Sequence, residues 1–256
     1  MTGKRRLNRR QFLSRTVHVA GLLALSGCDV LTANETVRSL LGNTERLTRS
    51  VQRAVTPRSA LAREYSDSDL SAVFPANGNT DPNNRAYDEL AAKDFRDWRL
   101  SVTGLVTTPS SFSLADLRAL PARTQITRHD CVEGWSAIGK WTGVPLRVIL
   151  EHVQAQTTAR YIVFHCADLD DDHVPYYESI AVEDAYHPQT ILAYELNDHP
   201  LDVPHGAPLR LRIERQLGYK QAKYLMGLEL TDTLSGYGGG KGGYWEDQGY
   251  EWYAGI

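Results

Sequence analysis

The sequence has no strong excess of charge of one sign, and the apolar run near its N-terminus is too short to cross a membrane. Its 256 residues include 28 Lys and Arg against 31 Asp and Glu, which gives a formal net charge of -3. A charge so close to zero gives no broad reason to expect nucleic acid as a partner. The apolar stretch over residues 17–25 is shorter than the roughly 20 residues that a transmembrane helix needs. The chain is nevertheless long enough to bury a sizeable core.

Cysteine is scarce, with only Cys28, Cys131 and Cys166 in the whole chain. None of the compact two-Cys or two-His spacings that are typical of zinc sites occurs. If Cys28 is modified, the residues alone leave three possibilities for the other two: a disulfide, a metal-bound or reactive thiolate, or a pair of inert thiols. Cys131 lies in a polar loop, where Arg128 and His129 could supply the positive charge that a thiolate needs. Cys166 ends an apolar strand.

The N-terminal region has the order of a bacterial export signal. Six basic residues precede or adjoin the apolar stretch, namely Lys4, Arg5, Arg6, Arg9, Arg10 and Arg15. A basic segment followed by a short apolar one is typical of a secretory signal peptide. Residues 8–13, in which Arg9 and Arg10 are followed by an apolar pair, resemble the twin-arginine export signal. That route is associated with proteins that load a cofactor before export.

A lipid-attachment motif follows directly. Residues 25–28, Leu-Ser-Gly-Cys, resemble a lipobox, in which Cys28 is acylated and becomes the mature N-terminus. We therefore predict a twin-arginine lipoprotein signal peptide over residues 1–27. The mature protein is expected in the periplasm, anchored to the inner membrane through lipidated Cys28. A basic cytosolic arm is the alternative interpretation.

The rest of the chain predicts a helical linker and one domain. Apolar residues at spacings of three and four favour an amphipathic helix over about 33–56, within an anchor and linker that covers residues 28–65. Residues 66–86 are rich in Asp, Asn and Ser and predict a loop. Residues 66–256 form the predicted domain, which ends in a tail rich in Gly and aromatic residues. We expect this tail to pack on the surface, with a substrate or partner surface as the alternative.

Within the domain, strands outnumber helices. A capping box from Ser113 to Asp116 and the proline at position 145 each predict the start of a helix. Strands are predicted at residues 98–102, 161–165, 191–196, 209–213 and 225–230, with a hairpin turn at Asn197 and Asp198. This mixture favours an α+β domain rich in mixed β-sheet.

Five ordered motifs carry a family resemblance. They are Cys131-Val-Glu-Gly-Trp135, Trp141-x-Gly-Val-Pro-Leu146, Tyr194-x-x-Asn-x-x-Pro-Leu201, His205-Gly-Ala-Pro-Leu-Arg210 and Gly218-Tyr-Lys-x-x-Lys223. Together they resemble the sulfite-oxidase-type molybdopterin-binding domain over residues 95–232. The first motif is closer to the periplasmic protein-methionine-sulfoxide reductase branch. The resemblance implies a molybdenum-molybdopterin cofactor in a sheet-rich α+β fold.

The resemblance also implies roles for individual residues. Cys131 matches the thiolate that ligates molybdenum, and Tyr176 matches a catalytic tyrosine of sulfite oxidases. Cys166 lies where the methionine-sulfoxide reductase branch has a cofactor-contacting Thr. The remaining matches to cofactor-binding positions are Asn77, His205, Arg210, Gln221, Ala222 and Lys223.

The expected substrate class follows from one difference between this sequence and the sulfite oxidases. In sulfite oxidases an Arg-rich segment after the cysteine helps to bind the anion, whereas Val132, Glu133 and Trp135 stand here. We therefore expect reduction of an S-oxide or N-oxide by oxygen-atom transfer, with sulfite oxidation as the alternative. Electrons are expected to come from a membrane cytochrome or a soluble cytochrome c. The non-enzyme alternative is a lipoprotein adaptor with a Cys131–Cys166 disulfide.

Overall fold

The computed structural model describes residues 50–52, 57 and 59–256. The predicted signal peptide, Cys28 and most of the predicted amphipathic helix lie outside the described residues, although residues 50–52 are helical. The chain divides into two compact units, Met1–Ala54 and Val55–Ile256. Everything that follows concerns the second unit.

The described residues of this unit form ten strands and five short α-helices. The strands are β1 (Leu100–Gly104), β2 (Ser110–Phe112), β3 (Arg123–Asp130), β4 (Ser136–Pro145), β5 (Tyr161–Leu169), β6 (Pro175–Ala181), β7 (Ile191–Leu196), β8 (His199–Pro200), β9 (Arg210–Arg212) and β10 (Leu225–Thr231). The helices are α1 (Arg85–Ala91), α2 (Leu114–Ala119), α3 (Leu146–His152), α4 (Val182–Ala185) and α5 (Tyr244–Asp247). Two 3-10 helices cover Asp67–Asp69 and Gly218–Lys220.

The strands form two five-stranded sheets. The first has the order β2-β1-β10-β5-β6, in which only the β1–β10 pair is parallel. The second has the order β3-β4-β7-β8, and β9 also pairs with β7. Since a parallel pair is mixed with antiparallel ones and the helices are short, the predicted sheet-rich α+β class is confirmed.

One large apolar cluster takes side chains from both sheets. Val102, Phe164 and Leu228 come from the first sheet, and Val144 and Leu192 come from the second. Strand β9 shows how the sequence separates two environments. Leu211 points into this cluster, whereas its neighbours Arg210 and Arg212 point to the opposite face, as the alternation of a strand requires.

Local signals in the sequence predict several element boundaries well. The Ser113 hydroxyl accepts a hydrogen bond from the Asp116 amide, and the Asp116 carboxylate accepts one from the Ser113 amide, so the capping box begins α2 as predicted. Asn197 and Asp198 both have positive φ and join β7 to β8, which confirms the hairpin. The loop predicted over residues 66–86 contains the first 3-10 helix and the start of α1. No helix in the described part of the chain is long and apolar enough to span a membrane.

Candidate active site

Cys131 follows β3 and begins a tight turn. The Cys131 amide donates to the carbonyl oxygen of Trp135 at 2.9 Å, and the Gly134 amide donates to the Cys131 carbonyl oxygen at 3.1 Å. Gly134 has a φ of 90°, which a glycine adopts without steric cost. The Glu133 carboxylate then accepts hydrogen bonds from the Trp135 indole at 2.9 Å and from the Gly78 amide at 3.3 Å. These contacts fix the position of Cys131 and tie its turn to residues 77–79.

The surroundings of Cys131 do not stabilise a free thiolate. Burial raises the pKa of the Cys131 thiol, and the Glu133 carboxylate adds to this rise. The expectation that Arg128 and His129 supply positive charge is wrong. Arg128 pairs with Asp130, and burial beside Arg212 and Arg210 holds the pKa of His129 well below its usual value, so that His129 is neutral. A thiolate at this position therefore needs a cation from outside the chain, such as a metal.

A cavity of about 280 Å³ lies beside Cys131. Of the residues predicted from the sequence, it brings together Asn77, Cys131, Tyr176, Gln221, Ala222 and Lys223. These residues belong to four separate parts of the chain. Asn77 lies in the loop before α1, Cys131 follows β3, Tyr176 lies in β6, and residues 221–223 follow the second 3-10 helix. Arg210, His205 and Cys166 do not line this cavity.

Arg210 lies directly behind the cavity wall. Its side chain is fully buried, and its guanidinium donates to the carbonyl oxygens of His205 at 2.9 Å and Gln221 at 3.3 Å. Its Nε atom has no hydrogen-bond partner among the described residues. Burial, followed by the charge of Arg212, lowers the pKa of Arg210 to about 9. Arg210 is thus a buried cation without a carboxylate partner in the part of the chain that the structure describes.

Arg212, two residues after Arg210, is also buried, but its charge is neutralised by a carboxylate. It donates to both carboxylate oxygens of Glu214, at 3.0 and 2.6 Å, and to His129 Nδ1 at 2.9 Å. The guanidinium groups of Arg210 and Arg212 lie 5.0 and 4.3 Å from the Trp141 ring centroid, within the range of cation–π attraction. Glu214 balances only one of these two charges.

Lys223 is the second buried cation. Its ammonium donates to the carbonyl oxygens of Asn77 at 2.7 Å, Pro204 at 3.0 Å and Asn79. Burial and the nearby Arg210 lower the pKa of Lys223 to about 7. Since charge buried without an opposite charge is costly, Arg210 and Lys223 together favour a bound anion beside residues 77–79.

His205 holds the neighbouring backbone instead of facing the cavity. Its Nδ1 atom lies 2.6 Å from the Asp202 carboxylate, and its Nε2 atom lies 2.9 Å from the carbonyl oxygen of Phe74. Together with Lys223 and Glu133, His205 fixes the chain over residues 74–79 against the cavity. His205, which the sequence predicted to contact the cofactor, therefore does not line the cavity and instead holds the backbone that borders it.

Of Tyr176 and Cys166, only Tyr176 lines the cavity beside Cys131. Tyr176 lines the cavity, and its hydroxyl donates to the carbonyl oxygen of Tyr219 at 2.8 Å. Cys166 lines an adjoining cavity of about 600 Å³, which shares Tyr176 and Tyr244 with the first. Burial raises the pKa of Cys166 well above its usual value. Both thiols are free, so the disulfide alternative is not supported.

Sequence reasoning missed a whole wall of the cavity. Tyr244, Trp245 and Tyr250 of the C-terminal tail line it, whereas the sequence favoured packing of the tail on the surface over the alternative of a substrate or partner surface. Asp168, a buried carboxylate at the end of β5, also lines the cavity. Its burial raises its pKa to about 6. The crowding of aromatic residues between positions 244 and 253 was the available signal, but aromatic residues also fill ordinary cores.

A buried ion cluster anchors this wall. The Lys220 ammonium donates to the carboxylates of Glu178 and Glu246, and all three side chains are buried. Glu246 belongs to α5, so the cluster fastens the tail to β6 and to the second 3-10 helix. Tyr177 adds a hydrogen bond from its hydroxyl to Asp247 at 2.6 Å.

Comparison with known proteins gives concordant matches. Residues 88–237 match the family model described as the oxidoreductase molybdopterin binding domain. The chain is 41% identical over 250 residues to a protein of Azospira oryzae that is provisionally named protein-methionine-sulfoxide reductase subunit YedZ1, covering 96% of this chain and 87% of the relative. It is 34% identical over 147 residues to the protein-methionine-sulfoxide reductase catalytic subunit MsrP of Ralstonia nicotianae, covering 53% of this chain and 44% of that protein.

The chain is also similar to a solved structure, that of the sulfane dehydrogenase SoxCD from Paracoccus pantotrophus. The match has a TM-score of 0.49 and 21% sequence identity, and it covers 70% of this chain and 46% of that one.

Proposed function

Because the chain belongs to the oxidoreductase family with a molybdopterin-binding domain, we propose that it reduces S-oxide or N-oxide substrates at the Cys131 cavity. The protein is a molybdopterin-dependent oxidoreductase, as the resemblance in the sequence predicted. The observation that carries the finer proposal is the position of Cys131 on a cavity that is lined by carboxylates and bordered by the buried cations Arg210 and Lys223.

The residues present suit this cofactor. Arg210 and Lys223 are buried cations that lack a carboxylate partner among the described residues, and Arg210 Nε has no acceptor there. A phosphate group on the pterin would supply the missing negative charge through charge-assisted hydrogen bonds. Asn77, Gln221 and Ala222 line the cavity together with Lys223, in front of Arg210, and complete the proposed cradle. His205 would act by holding residues 74–79 in place.

Cys131 would supply the protein ligand to the metal. Its thiol lies at the cavity, and sulfur is a soft donor that suits a redox-active transition metal. Since burial and Glu133 raise the thiol pKa, metal coordination is what would hold Cys131 as a thiolate. When bound, the molybdopterin supplies a redox metal that can exchange an oxygen atom with a substrate.

The charge at the cavity favours a neutral substrate over a small dianion. Glu133, Asp168 and Asp170 line it, and its only lining cation within the described residues is Lys223, whose ammonium is engaged with carbonyl oxygens. Sulfite would approach carboxylates, whereas a neutral sulfoxide or N-oxide would not be repelled. The names of the relatives YedZ1 and MsrP, which refer to methionine sulfoxide, support the same substrate class.

The test is a substrate screen on holoprotein. Protein purified from a molybdenum-competent host is assayed for molybdenum, for pterin, for reduction of sulfoxides and N-oxides with an artificial donor, and for sulfite oxidation with an artificial acceptor. We expect sulfoxide reduction that depends on molybdenum, with protein from a molybdenum-starved culture as the control. Sulfite turnover at typical enzyme rates of about 1 to 10³ per second, without sulfoxide reduction, would contradict the proposal.

Electrons would come from a membrane cytochrome or a soluble cytochrome c. The relatives are named as subunits, which supports a separate redox partner. Membranes of the source bacterium, reduced chemically, are mixed with holoprotein and a sulfoxide, and the cytochrome absorbance is followed. Oxidation that requires both protein and sulfoxide is the expected result. Absence of oxidation with membranes and with soluble cytochrome c alike would exclude both partners.

The site of action would be the periplasmic face of the inner membrane. The twin-arginine motif and the lipobox at Cys28 support this placement. Full-length Cys28→Ala should fractionate as soluble periplasmic protein, and replacement of Arg9 and Arg10 by Lys should block export. The matched control replaces Arg5 and Arg6 by Lys, which keeps the charge and leaves the motif intact. Equal membrane association of wild type and Cys28→Ala would rule out the anchor.

A further inference from the structure

The wall that the C-terminal tail adds to the cavity lies beyond the matched family region. Tyr244, Trp245 and Tyr250 line the cavity that contains Cys131. The family model ends at residue 237. The wall is therefore a feature of this chain outside the matched domain, and its composition carries information about what enters the cavity.

Five aromatic rings form a continuous arc around the cavity. Tyr176 contacts Tyr244 at a centroid distance of 5.5 Å, Tyr244 contacts Trp245 at 5.4 Å, and Trp245 contacts Tyr250 at 5.3 Å. Tyr250 then stacks on Tyr219 at 5.2 Å, with an interplanar angle of 28°. All five residues line the cavity. Such rings offer rigid apolar area at low cost in conformational entropy.

Exposed apolar side chains other than the aromatic ones also line the cavity. Val132 and Val174 line the cavity and, like Trp245 and Tyr250, are between 38% and 48% exposed. Single exposed apolar side chains are common on protein surfaces, but four that line the same cavity favour an interaction site there. The buried Lys220 cluster holds the tail in place, so Trp245 and Tyr250 lie on a fixed surface.

The charges beside these apolar side chains select what the cavity can bind. Glu133, Asp168 and Asp170 line the cavity, and Asp171 and Asp172 are exposed beside them. An apolar lining disfavours a small polar molecule as the preferred ligand, and the carboxylates disfavour an acidic one. A polypeptide segment with apolar side chains and a neutral or positive charge complements both features.

We propose that Trp245 and Tyr250 form a specificity subsite for the residue that flanks the reacting S-oxide in a polypeptide substrate. The subsite prefers an apolar neighbour and disfavours an acidic one. This inference rests on the proposed S-oxide reduction, because the flanking residue is defined by its distance from the reacting group. Trp245 and Tyr250 act on binding and leave the chemistry to the residues around Cys131.

The test compares three substrates of the holoprotein. The first is dimethyl sulfoxide. The second, the leucine peptide, has methionine sulfoxide between two leucines and ends in a lysine, and the third, the aspartate peptide, has aspartates in place of the two leucines. Wild type should prefer the leucine peptide to the aspartate peptide. Trp245→Ala and Tyr250→Ala should each lower kcat/KM for the leucine peptide about tenfold relative to dimethyl sulfoxide, mainly through KM. Tenfold corresponds to about 1.4 kcal/mol of contact free energy.

The matched control is Tyr186→Ala, since Tyr186 is comparably exposed and does not line either cavity. Tyr186→Ala should leave the ratio of kcat/KM for the leucine peptide to kcat/KM for dimethyl sulfoxide unchanged. Equal effects of Trp245→Ala on peptide and dimethyl sulfoxide, or no effect on either, would overturn the subsite while the proposed function stands.

A binding measurement separates failure of the two proposals. The leucine peptide is titrated against the intrinsic fluorescence of wild type, Tyr250→Ala and Tyr186→Ala. If the holoprotein reduces no sulfoxide, a Kd that weakens about tenfold in Tyr250→Ala alone keeps Trp245 and Tyr250 as a binding surface for an apolar peptide, and rejects the proposed function together with the S-oxide assignment of the subsite. An equal Kd in all three proteins, or no binding, overturns the subsite as well.

Discussion

The hydroxyl of Tyr176 donates a hydrogen bond to the backbone carbonyl oxygen of Tyr219 at 2.8 Å. Tyr176 comes from β6, and Tyr219 lies in the 3-10 helix that leads to Gln221, Ala222 and Lys223. Burial raises the pKa of Tyr176 well above its usual value, so the hydroxyl keeps its proton at neutral pH. The protonated hydroxyl of Tyr176 at the cavity is thus hydrogen-bonded to the segment that leads into the proposed cofactor-binding residues 221–223.

We expect Tyr176→Phe to retain molybdenum and pterin but to lose about a hundredfold in kcat, because positioned proton donors contribute roughly 10²–10⁴-fold. Metal content and steady-state kinetics measure the two effects. Tyr87→Phe is the control, since the Tyr87 hydroxyl also donates to a carbonyl oxygen, that of Ala207 at 2.7 Å, and does not line the cavity. If both variants lose the same small fraction of activity, the Tyr176 hydroxyl serves structure alone.

Arg210→Gln and Lys223→Gln should each weaken retention of the cofactor. Each removes charge-assisted hydrogen bonds to the proposed phosphate, worth roughly 1.5–3 kcal/mol, and hence about tenfold to a hundredfold in affinity. Molybdenum and pterin are measured after extended dialysis. Arg118→Gln is the control, because Arg118 is a surface residue whose carboxylate partner, Glu195, lies 3.9 Å away. Full occupancy in both Arg210→Gln and Lys223→Gln would show that these charges do not hold the cofactor.

Asp168 makes stability depend on pH in the direction opposite to that of a salt-bridged carboxylate. Burial raises its pKa from 3.8 to about 6 in the folded protein. Folding therefore takes up a proton between about pH 4 and 6, so the contribution of Asp168 to stability falls as pH rises across this range. Asp168→Asn should raise the free energy of unfolding of cofactor-free protein by about 1–2 kcal/mol at pH 7.

The gain from Asp168→Asn should shrink steadily as the pH falls from 7 towards 4, because Asp168 is protonated in the folded protein at the low end of this range and becomes protonated in the unfolded chain as well as the pH nears 3.8. Unfolding midpoints in buffers from pH 4 to 7.5 give the comparison. Asp232→Asn, at an exposed position in the loop after β10, serves as the control and should show no such dependence. A pH-independent effect of Asp168→Asn would mean that the carboxyl titrates near its ordinary value.

The sequence predicted the family, the cofactor and the fold class, because each depends on patterns that are local in the chain. The capping box at Ser113 and the turn at Asn197 are such patterns, and both appear where they were expected. The burial of Arg210 was not visible from its residue type, since an arginine on a strand is normally solvated. It follows from the pairing of β9 with β7 beside Trp141, which only the folded chain defines.

The cavity wall was harder to predict for the same reason. Trp245 lies more than a hundred positions after Cys131, and nothing local to the tail indicates that the two share a cavity. Glu246 likewise has no sequence signal that pairs it with Lys220 and Glu178. The charge expected from His129 was misjudged because the folded chain buries the imidazole and places Arg212, 83 positions away, against its ring nitrogen, and both effects lower the pKa of His129.

Cys131→Ser should abolish nearly all activity while much of the pterin remains bound. A hydroxyl is a poorer soft donor than a thiolate, so the potential and coordination of the metal should change, whereas Arg210 and Lys223 still hold the phosphate. Activity, pterin content and the paramagnetic resonance signal of the half-reduced metal are measured on the same preparations. A resonance signal and activity equal to those of wild type would exclude Cys131 as the ligand.

Cys166→Ser is the matched control for that substitution. Cys166 lines the adjoining cavity and not the one beside Cys131. Its thiol is protonated, since burial raises its pKa well above the usual value, and its Sγ atom lies 3.9 Å from the carbonyl oxygen of Phe164. A serine hydroxyl can donate to the same oxygen, so Cys166→Ser should keep most of the activity and an unchanged resonance signal. A loss equal to that of Cys131→Ser would place Cys166 in the metal site and require the two cavities to act as one.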